Sequence, residues 1–301
     1  MRRVRKPRVR HLGASVILFF AALRGRSAPA PPTSTDPVLV GAGDIAACDN
    51  DGDERTAKLL DKIEGTVFTL GDNVYPNGTA QQFERCYAPT WGRHKARTRP
   101  VPGNHDYRMA GASAYYAYFG AAAGDPKKGY YSYDLGAWHV VVVNSNCGEI
   151  PGGCKAGSAQ EKWIREDLAA HPTPCSVAMW HHPRFSSGTE HGNDARMVDI
   201  WRTLQQGGVD LALGGHEHNY ERFAPQDADG KPDPEHGIRE FVVGTGGKSL
   251  YPYGTPLPTT EVRNNTTYGV LKLTLHPDSY DWEFVPVEGG SFADSGTAKC
   301  H

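Results

Sequence analysis

The order of apolar segments predicts an α/β protein, a mixed β-sheet sandwich flanked by helices. Three observations lead there. Short apolar runs recur, most ending on a glycine and a polar residue; helical spacing lies between several of them; and two alternating segments close the chain.

The elements follow in order. Strands are expected at residues 37–42, 67–70, 139–143, 176–180, 210–213 and 240–243. Helical spacing marks residues 55–63 and 158–170, where Ser158 and Glu161 form a capping box, and residues 194–206, closed by Gly207-Gly208. Residues 268–275 and 280–287 alternate around His276-Pro277-Asp278 and predict a β-hairpin. No repeat and no second linker interrupts the series, so residues 37–301 are expected to form one domain.

The N-terminus has another character. Six basic residues from Arg2 to Arg10 precede an apolar run, which gives way to Ala28-Pro29-Ala30. That order predicts a secretory leader over residues 1–30, a linker over 31–36 and an exported chain with no membrane span once the leader is removed. The first thirty residues hold eight of the 32 Lys+Arg and none of the 34 Asp+Glu, so the remainder carries 24 − 34 = −10. An acidic chain is not expected to bind nucleic acid. A phosphate-processing site in it would need local positive charge, most simply metal ions. Cys48, Cys86, Cys147, Cys154, Cys175 and Cys300 suit disulfides in an exported chain, with Cys147–Cys154 the pair expected across a Gly/Pro loop.

Chemistry gathers at the strand ends. One run ends Gly43-Asp44 and the next Gly71-Asp72, with Tyr75 three residues on. Gly103-Asn104-His105-Asp106 follows an extended X-Pro stretch, residues 176–180 deliver His181 and His182, and residues 210–213 deliver Gly215-His216-Glu217-His218. In open α/β sheets ligands sit beyond the carboxyl ends of strands. A carboxylate shared by two donor clusters can hold a pair of cations about 3.5–4 Å apart, an arrangement that serves in-line displacement at phosphorus.

This ordered set resembles the calcineurin-like metallophosphoesterases, and within them the purple acid phosphatases. Many members carry a metal-binding histidine where Ala46 stands; the purple branch lacks it and uses the tyrosine found here as Tyr75. The resemblance implies a four-layer αββα fold with two mixed sheets flanked by helices. It places Asp44, Asp72, Tyr75 and His218 on one metal, and Asp72, Asn104, His181 and His216 on the other. One extra residue before His181 leaves His182 as the alternative ligand, although Pro183 puts His181 at the family's spacing. Fe(III) is expected at the tyrosine site and divalent Fe, Zn or Mn at the other. The function implied is phosphomonoester hydrolysis by attack of a metal-bound hydroxide on phosphorus. His105 or His191 would protonate the leaving group, with Asp106 holding His105 protonated. Small phosphorylated molecules are the expected partners. A phosphodiesterase or nucleotidase, and a non-catalytic phosphate- or metal-binding protein, are the competing expectations.

Overall fold

The apolar runs fold into two mixed sheets in the computed structural model, which describes Met1 and residues 36–301. The leader and nearly all of the linker predicted above lie outside the described residues. The first sheet has six strands in the order Ser295–Lys299, Ser279–Pro286, Gly269–Leu275, Val38–Ala42, Thr66–Thr69, Thr98–Arg99. The second has seven, in the order Thr260–Asn264, Tyr220–Phe223, Arg239–Val243, Leu211–Gly214, Cys175–Met179, Trp138–Val142, Tyr131–Leu135. The second sheet has a parallel centre and antiparallel edges; the first is parallel from Val38–Ala42 to its Thr98–Arg99 edge and antiparallel on its other side.

Period-two patterning explains the layers. Val140, Val177, Leu211 and Phe241 face the first sheet and share a core with Leu39, Phe68 and Leu271. Their neighbours Val141, Ala178, Ala212 and Val242 face the other way, against Ile164, Leu168, Ile200, Trp201 and Leu204. Those five belong to the helices Ala159–Ala170 and Val198–Gln206, which cover the second sheet. A strand buried on both faces reads as a continuous apolar run, which is why these central strands are visible in the sequence.

Several boundaries differ from expectation for local reasons. The first helix runs Gly52–Leu60, one turn earlier than predicted, because the Gly52 amide donates to Asn50 Oδ1 at 2.9 Å. Ser158 caps its helix by accepting from the Glu161 amide, but the Glu161 carboxylate turns to Gly157 N instead of completing the box. Residues 194–197 form a tight turn capped by Asp194, and the α-helix begins only at Val198. The hairpin forms with Gly269–Leu275 against Ser279–Pro286.

Residues 36–301 cluster as one unit. Disulfides join Cys48–Cys86, Cys147–Cys154 and Cys175–Cys300. Among the described residues no helix is long and apolar enough to cross a membrane.

Candidate metal centre

Parallel strands from both sheets point their carboxyl ends at one place. Val38–Ala42 and Thr66–Thr69 run side by side and deliver Asp44 and Asp72. Across the sandwich, Cys175–Met179 and Leu211–Gly214 deliver His181 and His216. Two glycines make the approach possible. A Cβ on Gly71 would lie 2.5 Å from His181 Nδ1, and one on Gly103 would lie 2.1 Å from the Asp72 amide nitrogen.

The donors form two groups that meet at Asp72. Tyr75 Oη lies 2.8 Å from Asp44 Oδ1, 2.9 Å from Asp72 Oδ2 and 3.1 Å from His218 Nε2. His181 Nε2 lies 3.0 Å from Asn104 Oδ1, 3.4 Å from Asp72 Oδ1 and 3.1 Å from His216 Nδ1. Asp72 therefore turns one oxygen to each group. All the predicted metal-binding residues are brought together; His181 Nε2 faces Asp72 and Asn104, and His182 lies beside His181 and His216.

Partners behind the donors orient them. His181 Nδ1 donates to the Leu70 carbonyl at 2.7 Å, which turns Nε2 inward. His218 Nδ1 pairs with Ser249 Oγ at 2.7 Å, and its ring stacks on Tyr251 at 3.9 Å. Fixing the far nitrogen of a ligating histidine is how proteins set its tautomer. Ser145 Oγ accepts from the amides of His181 and His182, at 3.2 and 2.9 Å, and donates to His182 Nδ1 at 2.8 Å. His182 is thus occupied in supporting its neighbour. Ser145, Ser249 and Tyr251 were not expected from the sequence.

The donor chemistry suits cations. One phenolic hydrogen cannot satisfy two carboxylates, and His181 Nε2 faces three further potential ligand atoms, Asn104 Oδ1, Asp72 Oδ1 and His216 Nδ1. Separations near 3 Å between donor atoms are what ligands at about 2.0–2.2 Å around one ion require. Burial together with Asp44 and Asp72 pushes the Tyr75 phenol well above its ordinary range. Burial opposes ionisation of Asp72, but His181 and His105 outweigh it and hold the carboxylate well below its usual range. Burial, then His181 and His182, push His216 far down. Asp44, Asp72 and His216 also sit at φ of 60°, 48° and 68°, a left-handed region unusual outside glycine.

Two flanking histidines differ in setting. His191 is exposed and stacks on His216 with ring centroids 3.9 Å apart. His105 donates from Nδ1 to the Pro76 carbonyl at 2.6 Å, with the Arg108 guanidinium 3.5 Å from its Nε2. Burial, only partly offset by Asp72, lowers its basicity. The expectation for Asp106 is corrected. Its carboxylate accepts from Asn73 Nδ2 and the Gly103 amide, both at 2.9 Å, instead of bonding the His105 ring. Full burial and the nearby Asp72 charge raise it to about 7. Asp106 therefore braces the two loops that carry Asp72 and Asn104. Glu217 accepts the His191 and Gly192 amides. The glycine stretch 244–247 packs on Gly43, with Gly246 N donating to its carbonyl.

A second histidine cluster is different in kind. His139 bridges Asp134 and Asp167 at 2.7 and 2.9 Å, and His171 stacks on it at 9°. Near-parallel rings aim their lone pairs side by side, so the two imidazoles do not converge on a common point.

Comparison with known proteins agrees with this geometry. The family profile described as "Calcineurin-like phosphoesterase" matches residues 38–220. The chain is 26% identical to Purple acid phosphatase 15 of Arabidopsis thaliana over 227 residues, covering 64% of this chain and 42% of that protein. It is 24% identical to a nucleotide pyrophosphatase/phosphodiesterase of Hordeum vulgare over 326 residues, covering 90% of this chain and 85% of that one. Among solved structures, a purple acid phosphatase from yellow lupin (Lupinus luteus) seeds aligns with a TM-score of 0.71 at 21% identity, over 90% of this chain and 55% of that chain. The chain thus spans about half the length of the lupin protein and less than half of the Arabidopsis one.

Proposed function

The chain belongs to the calcineurin-like phosphoesterase family, and from that premise we propose that it is an exported phosphomonoesterase of the purple acid phosphatase type. The observation that carries this reading is Asp72, one carboxylate whose two oxygens face two separate donor groups. In this reading Asp44, Asp72, Tyr75 and His218 hold one ion, and Asp72, Asn104, His181 and His216 hold the other. Tyr75 offers a hard anionic oxygen and suits Fe(III); the imidazole-and-amide side suits divalent Fe, Zn or Mn. When bound, two such ions supply Lewis acidity that activates water and offsets charge on the phosphoryl oxygens.

The protein's own groups supply the rest. A leaving alkoxide needs a proton, and His191 is the better placed donor. It is exposed, it lies over His216, and its ring nitrogens have no hydrogen-bond partner among the described residues. His105 has one nitrogen committed to Pro76 and a guanidinium beside the other, so its role is to contact the phosphoryl group. Export is supported by three disulfides.

The test is metal analysis and a visible spectrum of the purified protein, with turnover of a monoester and a diester measured side by side. A tyrosinate–Fe(III) band abolished by Tyr75→Phe supports the assignment; colourless, iron-free and fully active protein overturns the iron. Metal-loaded protein that binds phosphate and turns over neither ester overturns the enzyme. The extended match to the Hordeum protein favours one alternative, a phosphodiesterase on the same site, which a preference for the diester would establish.

A further inference from the structure

We propose that Glu217 is the positioning residue for His191, and that its buried carboxylate holds the tip of the 184–193 loop so that the imidazole stays over His216. The inference rests on the reading of His191 as the group that protonates the leaving alcohol.

Glu217 lies between His216 and His218 and is fully buried. Its Oε1 accepts two consecutive backbone amides, His191 N and Gly192 N, both at 2.6 Å. Such consecutive amides form a nest for an anionic oxygen, and bonds to an ionised acceptor are stronger than neutral ones. The loop also wraps the carboxylate from its other side: a Cβ on Gly188 would lie 2.3 Å from Glu217 Cδ. Among the described residues Glu217 Oε2 has no partner, so the polar contacts of this carboxylate within them go to the tip alone.

The base of the loop is held separately. Glu240 accepts the Arg184 and Phe185 amides at 3.0 and 2.9 Å. Glu221 accepts the Ser187 amide and the hydroxyls of Ser186 and Ser187. Neither reaches residues 190–192. The His191 ring, exposed and without a hydrogen bond of its own among the described residues, is set by its backbone and by the stack on His216. Thr189 N donates to the Pro252 carbonyl and Asn193 Oδ1 accepts the Ser186 amide, so releasing Glu217 frees residues 191 and 192 between these anchors and leaves the base in place. A displacement of about 1 Å is enough to cost a proton donor about 100-fold in rate.

The experiment uses the full chain with its metals, as Glu217→Ala and Glu217→Gln, on an alkyl phosphate and on p-nitrophenyl phosphate. The aryl group leaves with little help from an acid; the alkoxide does not. Glu217→Ala should lower kcat on the alkyl ester about 30–100-fold and on the aryl ester less than about 3-fold, with metal content unchanged. Glu217→Gln keeps an oxygen for the two amides and should recover most of that loss. No loss on either ester, or equal losses on both with metal retained and exchange unchanged, overturns the proposal. Amide hydrogen exchange separates this from the reading beneath it. Exchange at residues 191 and 192 should accelerate in Glu217→Ala while residues 184–187 stay protected. Unchanged exchange overturns the positioning role even if the enzyme has no monoesterase activity. Accelerated exchange with equal loss on both esters upholds the grip and overturns His191 as the acid.

Discussion

Replacing Ser145 with alanine removes one oxygen that orders two neighbouring histidines. Ser145 is completely buried. Without Oγ, the amides of His181 and His182 and the Nδ1 of His182 all lose their partner. A buried polar group left unpaired costs about 1–3 kcal/mol, and counting the two amides alone gives about 2–6 kcal/mol. The space vacated is a single oxygen, too small for a replacement water. In a fold of this size about 1 kcal/mol moves Tm by about 2–4 °C, so the expected fall is about 4–24 °C. His181 also loses the bond that fixes its backbone, and such supporting contacts are worth about 10–100-fold in metal affinity. Thermal melts of the metal-free and metal-loaded protein, with metal titrations of Ser145→Ala and wild type, measure both effects. A melting temperature within about 1 °C of wild type together with unchanged metal affinity would refute the reasoning.

Two other expectations are independent of the metals. Burial raises Glu240 from an ordinary 4.5 to about 8 despite its two amide donors and nearby Arg184. The folded state then keeps a proton that the unfolded chain has released, so stability from this group is complete below pH 4.5 and is lost as pH rises through about 8, by about 5 kcal/mol in all. Glu240→Gln should flatten the slope of the urea midpoint between those limits, and parallel curves would count against it. Opening Cys175–Cys300, 125 residues apart in sequence, should cost about 5 kcal/mol in the chain-entropy account, and opening Cys147–Cys154, seven apart, about 2.5 kcal/mol. Paired Cys→Ser variants compared by denaturant titration test that ratio; equal losses would show that closure entropy does not govern them.

What could be read from the sequence was whatever announced itself locally. Asp44, Asp72, His181 and His216 each follow an apolar run that must be a central strand, so their place at a sheet end follows from their neighbours. A further strand end could have been read the same way: Val140 to Val143 runs directly into Asn144-Ser145-Asn146. Tyr220–Phe223 was hidden because the buried Glu221 breaks its pattern, and its carboxylate is satisfied by serines some 34 residues away. Ser295–Lys299 has no apolar face and is placed by pairing with Ser279–Pro286 and by the disulfide at Cys300. Ser249 and Glu217 act on side chains and amides 25 to 31 residues away, and no local spacing encodes such contacts. Asp106 was misassigned for the same reason: adjacency in sequence suggested His105, while the turn aims the carboxylate at Asn73.

The left-handed torsions of Asp44, Asp72 and His216 have a bearing on how this architecture can change over generations. Residues with a Cβ hold such torsions at a cost of about 1 kcal/mol or more each, and asparagine or glycine holds them more easily. Asparagine at positions 44 and 72 would also remove two like charges that face a single phenol. A descendant with those exchanges would keep both sheets and all three disulfides, giving up the pairing of Asp72 with His181 and His105 in return for relief of the strained torsions. Foldability and catalysis are therefore inherited separately here. Losing the chemistry would leave the sheets and disulfides standing, so selection on the chemistry would have to retain the original residues.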